Sequence, residues 1–241
     1  MQYPIKILSI MSSIPDNLQV VHAQIRNAAI SAGRDPQSVT LLAVSKTFDA
    51  DAVIAAAQVG QRAFGENYLQ EALDKMAVVR HAKPDLLLEW HFIGPIQSNK
   101  TRQIAENFDW VHSIEREKIA YRLSEQRPVH MAPLDVCIQV NVSGEASKSG
   151  VAPDQLVALA QAVATMPRLR LRGLMAIPEP ASTTLQQRLP FRQLHQLNDD
   201  LRAQGLMVDT LSMGMSADMN AAIAEGASIV RVGTAIFGKR T

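Results

Sequence analysis

Short apolar runs and amphipathic stretches alternate along the chain from residue 39 almost to its end. The run 39–44 is apolar at nearly every position, as expected of a strand covered on both faces. A stretch with acidic residues in its first turn and glycine at its close follows, which predicts a helix over 49–60. The pairing recurs as strand 62–65 with helix 68–80, 87–93 with 100–108, 110–114 with 115–126, and 135–142 with 154–166. It continues as 169–177 with 184–204, 210–215 with 217–225, and a last strand over 229–237. In the helix over 154–166, Leu156, Leu159, Ala160, Val163 and Met166 share one stripe, the spacing of a helix laid on a sheet. Pro190 is expected to break or bend the helix over 184–204. One more amphipathic helix, over 17–32, precedes the first strand. Strand–helix alternation of this kind within about 200 residues predicts an α/β fold, a single (β/α)8 TIM barrel with an extra N-terminal helix. An open doubly wound sheet is the rival, but it normally has fewer strands and its glycine fingerprint is missing. The barrel takes residues 17–241 and leaves 1–16 as an N-terminal extension.

Composition narrows the function. The 241 residues include 24 Lys+Arg against 23 Asp+Glu, a formal charge of +1 with the basic residues scattered. That argues against nucleic acid or an acidic membrane as partner. No apolar run approaches the ~20 residues that span a bilayer, and residues 1–10 lack an h-region and cleavage site, so a cytoplasmic protein is expected. The single cysteine, Cys137, excludes an intramolecular disulfide and a cysteine-based zinc site. Within its apolar run it reads as a small core residue. No metal is expected.

In a barrel the chemistry sits where strands end. Lys46 ends the first strand, and its ammonium either reaches water along its stem or stays partly desolvated in the mouth, able to form a Schiff base with an aldehyde. The turn from Ser212 through Met213 to Ser216 ends the seventh strand, and Gly233 and Thr234 lie on the neighbouring one. Loops after strands seven and eight are the usual phosphate site of the fold, with glycines, hydroxyls and a helix N-terminus as donors. Ser216 is equally a candidate N-cap, with Asp218 read as a helix-dipole residue facing away. Arg231 needs a specific acceptor inside its apolar strand, either a carboxylate such as Glu66 or a ring nitrogen or carboxylate of a ligand. Amine, phosphate cradle and guanidinium together describe a pocket for pyridoxal 5'-phosphate. Asn67 and His91 are weaker candidates, each with an ordinary structural reading as a turn residue or a core histidine. Lys148 is a candidate loop lysine for cofactor transfer.

The runs Leu42-Ala-Val-Ser-Lys46, Phe64-Gly-Glu-Asn-Tyr68, Trp90-His-Phe-Ile-Gly-Pro-Ile-Gln-Ser-Asn-Lys100 and Gly173-Leu-Met-Ala-Ile177 carry a resemblance. So do Ser212-Met-Gly-Met-Ser-Ala-Asp218 and Arg231-Val-Gly-Thr-Ala-Ile-Phe-Gly238. Here the chain resembles the pyridoxal phosphate homeostasis protein family. The resemblance implies a barrel like the N-terminal domain of alanine racemase, with the cofactor held on Lys46 and Asn67, His91, Ser212, Met213, Ser216, Arg231, Gly233 and Thr234 around it. It implies a carrier or regulator of cofactor supply that affects amino-acid balance, with no catalytic residues to assign. Its partners would be the cofactor and the apoenzymes that use it. Residues 1–10 have no counterpart in that resemblance, and Met11 competes with Met1 as the native start.

The main alternative is an amino-acid racemase, which needs a base on each face of the Cα carbanion. Lys46 would serve one face. In the racemases a tyrosine from a second domain of the partner subunit serves the other, and none of Tyr3, Tyr68 and Tyr121 is placed to replace it. Without that domain's interface a monomer is expected. A phosphosugar enzyme is a third possibility and would require Glu66 as acid or base at the mouth.

Overall fold

A strand that is apolar on both faces stays dry only if helices cover one face and side chains fill the other. In the computed structural model, which describes residues 13–143 and 149–238, the strands achieve this by closing on themselves. β1 (Thr40–Val44), β2 (Ala63–Glu66), β3 (Glu89–Phe92), β4 (Trp110–Ile114), β5 (Leu134–Gln139), β6 (Leu169–Met175), β7 (Thr210–Ser212) and β8 (Ile229–Val232) pair in chain order. All pairs are parallel, and β8 returns to β1 with Arg231 opposite Leu42. The predicted TIM barrel is the fold.

The two-residue period of the strands sorts the core. Leu41, Ala43, Phe64, Phe92 and Val111 belong to the large cluster between sheet and helices. Their alternates face inward, where Leu42, Ala63 and Ile229 form one small apolar cluster and Trp110, Cys137 and Met175 another. His91, His112, Ser212 and Arg231 share that interior, all buried. The β4–β5 register shifts between Val111 and Ile114, the stretch that carries His112. Cys137 is fully buried and its thiol is pushed well up by burial, the state of a core residue.

Helices α2 (Ala50–Gln58), α3 (Leu69–Ala82), α4 (Thr101–Asn107), α5 (Glu117–Gln126), α6 (Leu156–Ala164), α7 (Thr184–Ala203) and α8 (Met219–Ala224) follow the first seven strands. β8 is shorter than the strand expected over 229–237, because Thr234–Phe237 winds into a four-residue helix, α9. The extra helix α1 (Ile14–Ser31) makes up the cover there. It begins before residue 17 because Ser13 and Asp16 form a reciprocal capping box ahead of it. It buries Leu18, Val21, Ile25 and Ala29 and packs on α2, α8 and α9. Asn17 Nδ2 donates to the Ile236 carbonyl at 2.8 Å and Arg34 Nη1 to the Ile223 carbonyl at 2.8 Å. Among the described residues no helix is long and apolar enough to cross a membrane.

Pro190 does not break its helix. α7 runs continuously from Thr184 to Ala203, because Phe191, Leu194 and Leu201 are fully buried along one side. Arg188 and Arg192, on either side of the proline, both bind Glu225 at the end of α8 (2.6 and 2.9 Å). The helix nevertheless lacks one N–H donor at that point. Pro190→Ala restores the donor for the Gln186 carbonyl and is expected to raise stability by about 1–2 kcal/mol, net of the greater freedom of the unfolded chain. Urea unfolding at neutral pH checks it; an unchanged or lower midpoint would mean that the proline ring's packing outweighs the missing bond.

Candidate functional site

The chain turns sharply where β1 ends. Ser45 still donates its N–H to the Gly65 carbonyl at 3.1 Å, but Thr47 takes φ +70°, the left-handed region. For a β-branched residue that conformation costs about 1–2 kcal/mol. It is held by Glu71 Oε1, which accepts the Thr47 N–H at 2.6 Å, and by the Phe48 N–H on the Ser45 carbonyl at 3.1 Å. Glu71 is itself fixed by Lys75 (3.0 Å), and the Lys75 ammonium also reaches Glu66 Oε1 and the Ser45 carbonyl, each at 2.7 Å. One buried lysine thus ties the ends of β1 and β2 to α3, and Lys46 leaves from the middle of that knot. Nothing in the strand pattern singled out Lys75; its helical spacing from Glu71 was the available signal.

Glu66 is therefore neither an ion-pair partner of Arg231 nor a free carboxylate at the mouth. It is fully buried, its Oε1 held by Lys75 and by the Ser45 hydroxyl at 2.7 Å. Burial pushes its carboxyl up, opposed by Lys75 and Ser45. Its Oε2 has no partner among the described residues.

The opposite wall comes from β7 and β8. Gly214 at φ +91° lets the turn fold onto α8, where an added Cβ would lie 2.4 Å from the Ala222 Cβ. Ser216 is not an N-cap. α8 begins later than residue 217, with Asp218 at the cap position and no side-chain capping bond. Asp218 instead turns back, its Oδ1 accepting the Met215 N–H at 2.6 Å. Gly233 and Thr234 lie at the start of α9 rather than on a strand, and a Cβ on Gly233 would sit 3.0 Å from the Val44 carbonyl oxygen.

Arg231, 4% exposed, has its acceptors within the barrel wall. Nη1 donates to the Ser212 carbonyl (2.6 Å) and hydroxyl (2.8 Å), and Nη2 to the Ala176 carbonyl (2.9 Å). Burial lowers its pKa to about 10, so it stays charged at neutral pH.

These walls enclose a cavity of about 350 Å³ lined by Lys46, Asn67, Ser216, Arg231, Gly233 and Thr234. The buried Asn67 Oδ1 has no partner among the described residues. The close approach behind it is possible only because residue 94 is glycine, where a Cβ would lie 2.2 Å from the Asn67 carbonyl oxygen. An amine, a guanidinium, a hydroxyl-bearing turn and apolar walls thus converge on a space of ligand size. His91, Ser212 and Met213 do not line it. Met213 faces the main core, Ser212 supports Arg231, and His91 lies deeper in the barrel between Glu89 and His112. Lys148, like Tyr3, Met1 and Met11, lies outside the described residues. Tyr68 and Tyr121 are exposed, and neither lines the cavity.

Residues 17–241 match the family described as alanine racemase, N-terminal domain. A protein of Pseudomonas aeruginosa named pyridoxal phosphate homeostasis protein is 62% identical over 230 residues, 95% of this chain and 97% of that protein. One of the same name from Escherichia coli K12 is 53% identical over 232 residues, 95% and 98% of the two chains. The structure of PipY from Synechococcus elongatus PCC7942 with PLP bound superposes with a TM-score of 0.82 at 36% identity, covering 94% of this chain and all (100%) of that one. Alanine racemase from Corynebacterium glutamicum, at 21% identity and a TM-score of 0.64 over 92% of this chain and 62% of its own, shares the fold.

The Lys75 knot gives a direct test. Lys75→Met leaves Glu66 buried without its partner and is expected to cost about 3–5 kcal/mol at neutral pH. Because Glu66 then titrates higher still, the native form of the variant holds a proton that the unfolded chain releases. The deficit should be level above that raised pKa and shrink as pH falls from it toward the value of an unfolded carboxyl. Urea unfolding from pH 5 to 8 measures this, and adding Glu66→Gln should recover part of the loss. A pH-independent deficit with no recovery would show that Lys75 acts by packing alone.

Proposed function

The chain belongs to the pyridoxal phosphate homeostasis protein family, and we propose that it binds pyridoxal 5'-phosphate on Lys46 as an intracellular carrier or regulator of the cofactor. The observation that carries the reading is the convergence of Lys46, Arg231 and the Ser216, Gly233 and Thr234 wall on one cavity. The donor set suits the group: hydroxyl and backbone N–H donors for a phosphate, a donor-only guanidinium for the ring nitrogen, and a primary amine for the aldehyde. When bound, the cofactor supplies an aldehyde that condenses with the Lys46 amine, losing water, and water reverses the linkage.

Each residue then has a definite task. The Thr47 turn aims Lys46 across the cavity and the Lys75 knot keeps it aimed. Ser216 and Thr234 present hydroxyls to the phosphate while Gly233 keeps the wall close. Arg231, charged and fixed by three acceptors, faces the ring nitrogen and keeps it unprotonated, which weakens the ring as an electron sink. Phe48, Ile93 and Ile177 exclude water from the apolar side of the space. The reading assigns no catalytic reaction, since no tyrosine among the described residues stands at the cavity as a second base, and the relatives carry the name of a homeostasis protein. Apoenzymes that use the cofactor are the recipients we propose, in the cytoplasm and from a monomer.

Incubation with pyridoxal phosphate is expected to give a yellow protein, and borohydride reduction should label the peptide containing Lys46. Lys46→Ala should lose the visible band. Ser216→Ala and Thr234→Ala should each weaken binding about 5- to 10-fold, the worth of a charge-assisted hydrogen bond. A colourless, unlabelled protein would overturn the assignment. Deuterium uptake at the Cα of several amino acids above the rate with free cofactor would replace the carrier reading with a racemase.

A further inference from the structure

The polar residues inside the barrel form a single file, of which the cofactor reading uses only Arg231. Arg231 Nη1 lies 2.8 Å from Ser212 Oγ, and Ser212 Oγ lies 2.8 Å from His112 Nδ1. His112 Nε2 lies 2.9 Å from His91 Nδ1, and His91 Nε2 lies 2.7 Å from Glu89 Oε1. Arg231 opens onto the cavity that holds Lys46. Glu89, with its side chain 49% exposed, opens onto a separate cavity of about 380 Å³ at the other mouth, beside Asp109 and Trp110. The links between are sealed, with His91, His112 and Ser212 at 1%, 0% and 0% exposure. The file therefore joins two cavities through an otherwise closed interior.

Its ends fix its direction. A guanidinium only donates and a carboxylate only accepts. With both histidines neutral, Arg231 donates to Ser212, the Ser212 hydroxyl to His112 Nδ1, His112 Nε2–H to His91 Nδ1, and His91 Nε2–H to Glu89. Each link then carries one proton and no contact is left with two donors or none. A proton entering at Ser212 reverses the upper links: Ser212 passes its own proton to His112 Nδ1 and takes the new one, and His112 passes its Nε2 proton to His91 Nδ1. His91 then donates to His112 Nε2, His112 donates from Nδ1 to Ser212, and the serine turns its proton elsewhere. No heavy atom need move, and the added positive charge rests on His91, three hydrogen bonds along the file from Arg231.

We propose that Glu89, His91, His112 and Ser212 position Arg231 and couple the protonation of the far mouth to the cofactor site. The inference rests on the reading above in which Arg231 faces the cofactor ring. The charged neighbours are few. Arg172, Asp109 and the Trp110 indole face Glu89, His112 is faced by His91 and Arg231, and Arg231 by Asp218 and Cys137. The hydrogen bond from His91 holds Glu89 low, and burial, followed by His91 and Arg231, holds His112 well below the usual histidine range. The first keeps Glu89 an acceptor at the end of the file, and the second keeps His112 neutral within it.

The first test needs no cofactor. Long-range ¹H–¹⁵N spectra of the labelled protein at pH 8 should show His91 and His112 both as Nε2–H tautomers; either one as Nδ1–H would overturn the file. The second uses the protein loaded with pyridoxal phosphate and follows its visible band against pH. Glu89→Gln, a change of charge at a half-exposed site, should lower the midpoint by at least about 0.3 pH unit, because a negative charge that favours protonation above it has gone. Ser212→Ala, which cuts the file, should abolish the effect of Glu89→Gln in the double variant. The same shift with the file cut would mean a field effect through space, and no shift in either background would mean that the histidines only fill volume; both outcomes overturn the coupling. Failure to load with cofactor is a separate result that sinks the cofactor reading, while the tautomers still decide whether the file exists.

Discussion

A guanidinium enclosed in a parallel barrel cannot give its protons to water, so the protein must accept them, and much of the interior is arranged around that requirement. Arg231 gives three of its five donors to the carbonyls of Ala176 and Ser212 and to the Ser212 hydroxyl, at the ends of β6 and β7. Those strands must therefore stop where they do. β7 ends at Ser212, and the turn at Gly214 folds over α8 at a position that only glycine fills comfortably. The serine, in satisfying arginine, becomes the neighbour of His112, and the polar line continues to the far mouth. Interiors of this fold are ordinarily filled by layers of branched apolar side chains. Here the apolar filling is reduced to two small clusters on either side of that line.

The other half of the site depends on the same physics applied to an ammonium. Lys75 comes from α3 and is accepted by Glu66, Glu71 and the Ser45 carbonyl. A buried ion pair seldom adds net stability over an apolar pair of the same volume. Its value here is geometric, because the acceptors belong to the ends of two strands and one helix. Glu71 in turn supports the strained Thr47, and the strain is confined to the residue after Lys46. Strained backbone persists where its surroundings over-determine it, and these surroundings do so with two carboxylates and a lysine.

Much of the barrel was legible because each strand is apolar on both faces and each helix on one, two periods that do not imitate each other. Lys46, Asn67, Ser216, Arg231, Gly233 and Thr234 were legible as neighbours because a parallel barrel brings its strand ends together in order. Details set by competing local chemistry were not. Whether Ser216 or Asp218 stands at the start of α8 depends on a bond from the Met215 N–H that composition does not reveal. Pro190 suggested a broken helix, but Arg188, Arg192 and the buried side of α7 outweigh one missing bond. Glu66 looked available to Arg231 because Lys75 is distant from both in any strand-by-strand reading, and only the packing of α3 brings it in.

The barrel thus uses two kinds of buried charge for two ends of one task. Lys75 is sealed among fixed acceptors, so its network can hold Lys46 in place but has little means of responding to anything outside. Arg231 stands at the end of a line of groups that can each carry a proton in either direction, and that line reaches solvent at Glu89. Under the proposed reading the anchor for the aldehyde is rigid and the contact to the ring is responsive, so the ring contact can be tuned while water reverses the Lys46 linkage. The apolar packing given up inside the barrel is the stability cost of that arrangement. It is offset outside, where the continuous core between sheet and helices carries Phe64, Phe92, Phe108 and Phe191 almost wholly buried.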